Sequence, residues 1–400
     1  MNLFVTIVLD GVGIGEAPDA DEYGDEGSDT LGHVCAQESP DLPNLQRAGL
    51  GNIRPLNNLL PATTPEARYG KMQEQSSGKD STSGHWELAG HIVEEPFPTY
   101  PKGFPPEVVD EFLELTGYTK ILGNRPESGT VIIEQHGAEH LSSGQPIVYT
   151  SADSVLQIAA HVDVISLERL YELCAITRQH VCTGEHAVGR VIARPFMGTV
   201  GAFRRLSEAR KDFSLPPPSQ NLLSVLQQAA VKTVSVGKVS DLFAGVGFDE
   251  AIKTSSNKEG ISKTVAAIEK SVHDGADTFI WINLIDFDQE FGHRNNPAGF
   301  ARALEEFDTA LPRIRVALPA GSRLMLTADH GNDPTTPGTD HSREFVPVLY
   351  FNSTEFWGDE DNQTASDAGN LGIRASFCDH AATVAEYFGV PFAGPGVSFL

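Results

Sequence analysis

At 400 residues, 40% hydrophobic and 21% charged, the chain has a globular composition but exceeds what one hydrophobic core usually organises, so two or three domains are expected. Its net charge of −25, from 54 Asp and Glu against 29 Lys and Arg, argues against nucleic acid and anionic membranes as partners, and no run approaches the ~20 apolar residues of a membrane span. Four scattered cysteines without a CxxC pair exclude a disulfide framework or zinc ribbon and point to a cytoplasmic chain with free thiols.

The first apolar run, Leu3–Leu9, has no basic stretch before it and reads as a strand rather than a signal peptide. Further strands are expected at Pro146–Thr150, Val231–Val236, Thr278–Ile285, Arg323–Ala328 and Pro347–Phe351. Most are continuous apolar or β-branched runs, as in strands buried on both faces of a parallel sheet. Helical patterns lie between them. One opens at Pro105-Pro106, carries Val108, Val109, Phe112 and Leu113, and closes at Gly117. Another follows Ser166 as N-cap, with Leu167, Leu170, Leu173 and Cys174 as its stripe. Others fall near Ser219–Ala230, Ile261–His273, Phe300–Leu318 and Ser376–Phe388, and Pro312 is expected to kink or break the third of these. The alternation argues for an α/β protein with a mostly parallel sheet flanked by helices. Proline is densest at 96–105 and 215–218, which reads as a pair of connectors. The expected division is a discontinuous core of residues 1–96 and 219–400 around an inserted domain, 97–218.

Three strand ends carry candidate metal ligands. Asp10 closes the first strand, and ligands of open α/β sheets collect beyond carboxyl ends. LIDFDQEFGHRNN places Asp288 and His293 beyond the Thr278–Ile285 strand, with Asp286 equally placed by spacing. DHGNDPTTPGTDH adds Asp329, His330 and His341 after Arg323–Ala328. Oxygen and nitrogen donors without thiolate suit Mn²⁺, Mg²⁺, Fe²⁺ or Zn²⁺. Six protein ligands are too many for one catalytic ion, so two ions are expected, a pairing that clamps a transferring phosphoryl group. A fourth segment, QSSGKDSTSGHWELAG (75–90), is rich in small hydroxyl residues before a helical pattern, so that Ser81, Thr82 or Ser83 falls near a helix N-terminus suited to a nucleophile and a phosphate.

These segments resemble the phosphopentomutases of the alkaline phosphatase superfamily. The likeness runs through LDGVGIGEAPDA, GSDTLGH, SSGKDSTSGHWE, YTSADSVLQIAAH, GRVIARPF, DFDQEFGHRNN and ADHGNDPTTPGTDH to the closing VAEYFGV. It implies an alkaline-phosphatase-like core with an inserted α/β cap, and two divalent ions, usually Mn²⁺. One ion would be held by Asp288, His293 and His341, the other by Asp10, Asp329 and His330, with Asp288 preferred to Asp286 because the family's Asp and His are five positions apart. The family's nucleophile is a threonine after the Asp of GKD. Here Ser81 stands there, with Thr82 next to it as the alternative, and related superfamily members use serine. The resemblance further implies Ser151 and Asp153 for sugar hydroxyls, Arg190 and Lys238 for phosphate, pentose phosphates as small-molecule partners and a sugar bisphosphate (ribose 1,5- or glucose 1,6-) as activator. Arg194, Arg204, Arg205 and Arg210 are further candidates. The implied activity interconverts ribose 1-phosphate and ribose 5-phosphate; the competing expectations are a metal-dependent phosphatase or phosphodiesterase and a non-catalytic metal-binding protein.

Overall fold

In the computed structural model, residues 1–151, 153–353 and 369–400 are described. They form two compact units, Met1–Glu95 with Pro217–Leu400, and Pro96–Pro216.

The larger unit is an α/β structure on an eight-stranded sheet. In spatial order its strands are Glu250–Ile252, Lys232–Val236, Thr278–Leu284, Leu3–Leu9, Arg323–Thr327, Val346–Asn352, Arg68–Met72 and Asn370–Arg374. The first five run parallel, whereas Val346–Asn352 is antiparallel to both neighbours. Leu3–Leu9 and Thr278–Leu284 are buried at every residue, which explains why they read as unbroken apolar runs rather than alternating ones. Helices pack as two groups: Thr30–Glu38 and Asn257–Asp274 on Pro297–Ala317, and Ser81–Leu88 and Leu222–Gln228 on Cys378–Tyr387.

Pro312 does not break its helix, which runs from Pro297 to Ala317 with the proline inside. A proline there removes the N–H that would bond the carbonyl four residues earlier. That carbonyl, Asp308 O, instead accepts from Asn44 Nδ2 at 3.0 Å. The Asp308 carboxylate meanwhile accepts from the backbone N–H groups of Asn44 and Leu45 at 3.2 and 2.7 Å, anchoring the helix Pro43–Ala48.

Register places the site. Leu9 lies opposite Leu284, Val8 opposite Thr327, and Val236 opposite Ile282. The carboxyl ends of four adjacent parallel strands therefore finish along one edge, and the segments leaving them carry Asp10, Lys238, Asp288 and Asp329.

The smaller unit holds a second mixed sheet, in order Leu122–Pro126, Ile147–Thr150, Val155–His161, Arg190–Thr199 and Ala202–Arg205, with Lys211–Ser214 also paired to Arg190–Thr199. Helices Pro106–Thr116 and Leu167–Ile176 share one apolar cluster with it, through Val108, Phe112, Leu170 and Leu173. Helix Gly129–Ser143 supplies Ile132 and Ile133 to another, with Tyr149 and Phe196.

Candidate metal centre

Two groups of donors converge at this edge: Asp10, Asp329 and His330, and Asp288, His293 and His341, with the donor atoms of each group within 4.8 Å of one another. Asp10 follows its strand directly, and Asp329 comes two residues after Thr327. Asp288 sits in the short helical turn Phe287–Phe291, and His293 in the next, Gly292–Arg294. Two of the imidazoles are set by backbone carbonyls: the Nδ1 of His293 lies 2.7 Å from Thr339 O and that of His330 lies 3.1 Å from Gly331 O. Each Nδ1 facing a carbonyl must carry the proton, which leaves Nε2 as a donor atom for a cation. The His341 ring lies 3.9 Å from that of His330 and 4.8 Å from that of His293 by ring centroids, tilted by 30° and 35°.

The chemistry of this set fits divalent cations. Three buried carboxylates meet one ammonium, Lys238 Nζ, which lies 2.6 Å from Asp10 Oδ2. Burial, together with the Asp329 carboxylate, pushes the Asp10 carboxyl well above its ordinary range despite Lys238. Burial would also raise Asp288, but the His341 and His293 imidazoles hold it well below. His330 is kept neutral by burial, its pKa lowered to about 4 against the pull of Asp329. Burial would lower His293 too, yet its hydrogen bond to Asp288 holds it above the ordinary value. Clustered carboxylates, imidazole nitrogens and absent thiolate are the conditions that hard or borderline metal ions satisfy.

Ser81 is the first residue of the helix Ser81–Leu88, whose N-cap is Asp80. Its Oγ lies 3.1 Å from His330 Nε2 and accepts from Lys238 Nζ at 2.8 Å. Thr82 is buried, and its N–H, like that of Ser83, is already taken by the Asp80 carboxylate, at 2.8 and 3.3 Å. These two N–H groups at the helix start are thus used by its own cap and do not face a phosphate. Charge on Ser81 would have to be met from Lys238 and the metal side. Asp286 lies apart from the cluster: its carboxylate accepts from Asn257 N at 2.7 Å and its N–H donates to Asn257 Oδ1 at 2.9 Å.

Residues 2–392 match the family model of the Metalloenzyme superfamily. A phosphopentomutase of Caldanaerobacter subterraneus is 50% identical over 396 residues, covering 99% of this chain and 96% of that one. Another, from Acetivibrio thermocellus, is 48% identical over 402 residues, covering 100% and 99%, and a third, from Dictyoglomus turgidum, is 50% identical over 401 residues, covering 100% and 98%. The chain belongs to the phosphopentomutase family. It is therefore an isomerase that transfers a phosphoryl group, and a divalent-metal enzyme.

The remaining sequence candidates lie in the smaller unit. Arg190 opens its strand with its guanidinium 3.6 Å from Asp153 and 3.6 Å from Asp212. Ser151 is half-buried, and Ala152 between it and Asp153 lies outside the described residues. Arg194 donates to Gln157 Oε1 at 2.9 Å, and its pKa falls to about 10 through burial and the nearby Arg210. Arg210 is itself fixed by two 2.7 Å bonds to Asp212, while Arg204 and Arg205 are exposed.

Two supporting residues were absent from the sequence reading. Asn332 Nδ2 donates to Asp288 Oδ1 at 2.6 Å, orienting a carboxylate 44 positions away; its place directly after Asp329-His330-Gly331 was the available signal. Glu344 accepts from Gly15 N (3.1 Å), Thr30 N (2.9 Å), Thr30 Oγ1 (2.7 Å) and Ser342 Oγ (2.7 Å). It joins the loop after Asp10 to the segment carrying His341, and burial pushes its carboxyl up to about 7 despite those four donors. A Cβ on Gly13 or Gly331 would overlap the Glu344 side chain, so the glycines of these loops are required by close approach.

Proposed function

We propose that the enzyme interconverts α-D-ribose 1-phosphate and D-ribose 5-phosphate, and the 2-deoxy pair, in the cytoplasm, with two Mn²⁺ ions and Ser81 as the phosphorylated residue. The observation that carries this reading is the position of Ser81 Oγ, between Lys238 and His330, in a chain about half identical from end to end to curated phosphopentomutases. Asp288, His293 and His341 would hold one ion, and Asp10, Asp329 and His330 the other. When bound, the ions supply the positive charge that neutralises phosphoryl oxygens and aligns the in-line groups.

The chain's own residues do the rest. Lys238 donates to Ser81 Oγ and so stabilises the negative charge that develops on that oxygen as its bond to phosphorus breaks. Asp80 anchors the helix whose first residue is Ser81, fixing the direction of Oγ. Phosphate passes from Ser81 to the monophosphate, giving a 1,5-bisphosphate that reorients and returns its other phosphate to Ser81. A ribose 1,5- or glucose 1,6-bisphosphate would prime the free serine. We assign the insert the role of a cap, Ser151 and Asp153 the sugar hydroxyls, and Arg190 the phosphate that is not transferred; the two flanking carboxylates hold the Arg190 guanidinium in place.

The test is Ser81→Ala beside Thr82→Ala, with isomer formation, free phosphate and intact protein mass followed after incubation with ribose 1,5-bisphosphate. Ser81→Ala should lose both phosphoenzyme and isomerisation, while Thr82→Ala keeps them. Full activity in Ser81→Ala would overturn the nucleophile assignment. Phosphate released to water in place of isomer would make the enzyme a phosphatase.

A further inference from the structure

We propose that His85 is a positioning residue that keeps the nucleophile's backbone and the Asp329 carboxylate in register through the Nδ1 edge of its ring. The proposal rests on the dimetal reading above. His85 lies one helical turn after Ser81 and is fully buried. Its Nδ1 is 2.9 Å from Ser81 O and 3.2 Å from Asp329 Oδ2. Ser81 O accepts from the ring, so Nδ1 carries the proton, and Asp329 Oδ2, which accepts no hydrogen bond among the described residues, lies against that same edge. The other carboxylate oxygen, Asp329 Oδ1, accepts from Gly11 N at 3.1 Å. Asp329 is thus flanked on two sides, hydrogen-bonded by the loop after Asp10 and in close contact with the nucleophile helix.

The opposite side of the ring argues against an ordinary core histidine. It stacks on Trp281, with centroids 5.7 Å apart and planes at 22°, and Nε2 is buried with no hydrogen-bond partner among the described residues. Burying that nitrogen costs stability that a phenylalanine would not, so packing alone gives no reason for histidine. The Nδ1 contacts do. The preceding residue shows how close the helix lies: a Cβ on Gly84 would overlap the carbonyl oxygen of Asp329. A helix seated that tightly passes any shift of Asp329 directly to Ser81.

The experiment compares His85→Asn, His85→Gln and His85→Phe. Asparagine places an N–H near the Nδ1 position, glutamine near Nε2, and phenylalanine keeps the ring on Trp281. Each is titrated with Mn²⁺ against a chromophoric chelator, melted thermally, and assayed for kcat and KM with ribose 5-phosphate. Asn should keep both Mn²⁺ affinities within about threefold, whereas Gln and Phe weaken one of the two by about 10–100-fold and lower kcat with KM nearly unchanged. Equal affinities in Asn and Gln, or Mn²⁺ bound by a folded Phe variant as tightly as by the unsubstituted enzyme, would overturn the proposal. Should Phe fail to fold, the contrast between Asn and Gln decides alone. The metal titration uses no sugar phosphate, so a wrong substrate assignment leaves it intact; failure of the unsubstituted enzyme to bind Mn²⁺ would sink the dimetal reading itself.

Discussion

The two donor groups are built differently. Asp10, Asp329 and His330 have fully buried side chains and leave two adjacent central strands almost directly. Asp288, His293 and His341 sit on short turns and a long loop, and the His293 side chain is 34% exposed. The inner group is positioned by the sheet and by Ser81's helix. The outer group depends on individual hydrogen bonds, from Asn332 to Asp288 and from His293 to Thr339 O. Equal ligand counts therefore conceal unequal rigidity, and an ion in the outer group should exchange more readily.

Substitutions should expose that inequality. The largest effect is expected from Asp329→Ala, which removes an inner donor beside Ser81: kcat/KM should fall by more than about 10³-fold, with one ion lost by metal analysis, and excess Mn²⁺ should not restore it. His293→Ala should weaken one ion by about 100-fold and recover turnover in excess Mn²⁺; failure to recover would make the two groups equivalent. Acidification should weaken both groups. His293 is held above its ordinary pKa by Asp288, so its proton must be displaced by metal already near neutral pH, and affinity there should drop by about tenfold per unit below that pKa. His330, lowered to about 4 by burial, takes up a proton only in stronger acid, but Asp10 in the same group is pushed well above its ordinary range by burial and must also give up a proton to a metal. Mn²⁺ titrations at pH 7.5 and 5.5 should show both affinities falling, the outer through His293 and the inner through Asp10; an affinity unchanged over that range would contradict the corresponding shift. The smallest effect is expected from Asn332→Ala, about tenfold in one Mn²⁺ affinity, with the melting temperature little changed.

Much of the core was legible because its central strands are buried on both faces: Leu3–Leu9, Thr278–Leu284 and Arg323–Thr327 differ from the sequence expectation by at most one residue at an end. The helix Gly129–Ser143 was not. It starts with glycine and carries another at Gly137, where a Cβ would overlap the Phe203 ring, so tertiary contact overrides what helix propensity advises against. Val155–His161 and Arg190–Thr199 stood out as motifs but not as strands, the second because Arg190, Arg194 and Pro195 interrupt its apolar run. At the site, ligand types at strand ends could be read locally. The choice between Asp286 and Asp288 could not, since Asp286 is spoken for by Asn257. Spacing does not separate Ser81 from Thr82 either; Asp80 as N-cap makes Ser81 the first residue of the helix. Contacts such as His85 with Asp329 span too much sequence to leave a local trace.

Pro312 and Asn44 carry a consequence for how this sequence can drift. The proline is tolerable because a side chain 268 positions earlier serves the carbonyl it strands. Losing Asn44 first leaves a helix carbonyl without that donor, whereas replacing Pro312 first restores a backbone donor and makes Asn44 dispensable there. The order of two substitutions then decides whether the intermediate folds well. Relatives of this enzyme should populate one side of that path, with the combination of Pro312 and a donorless residue at position 44 rarely visited.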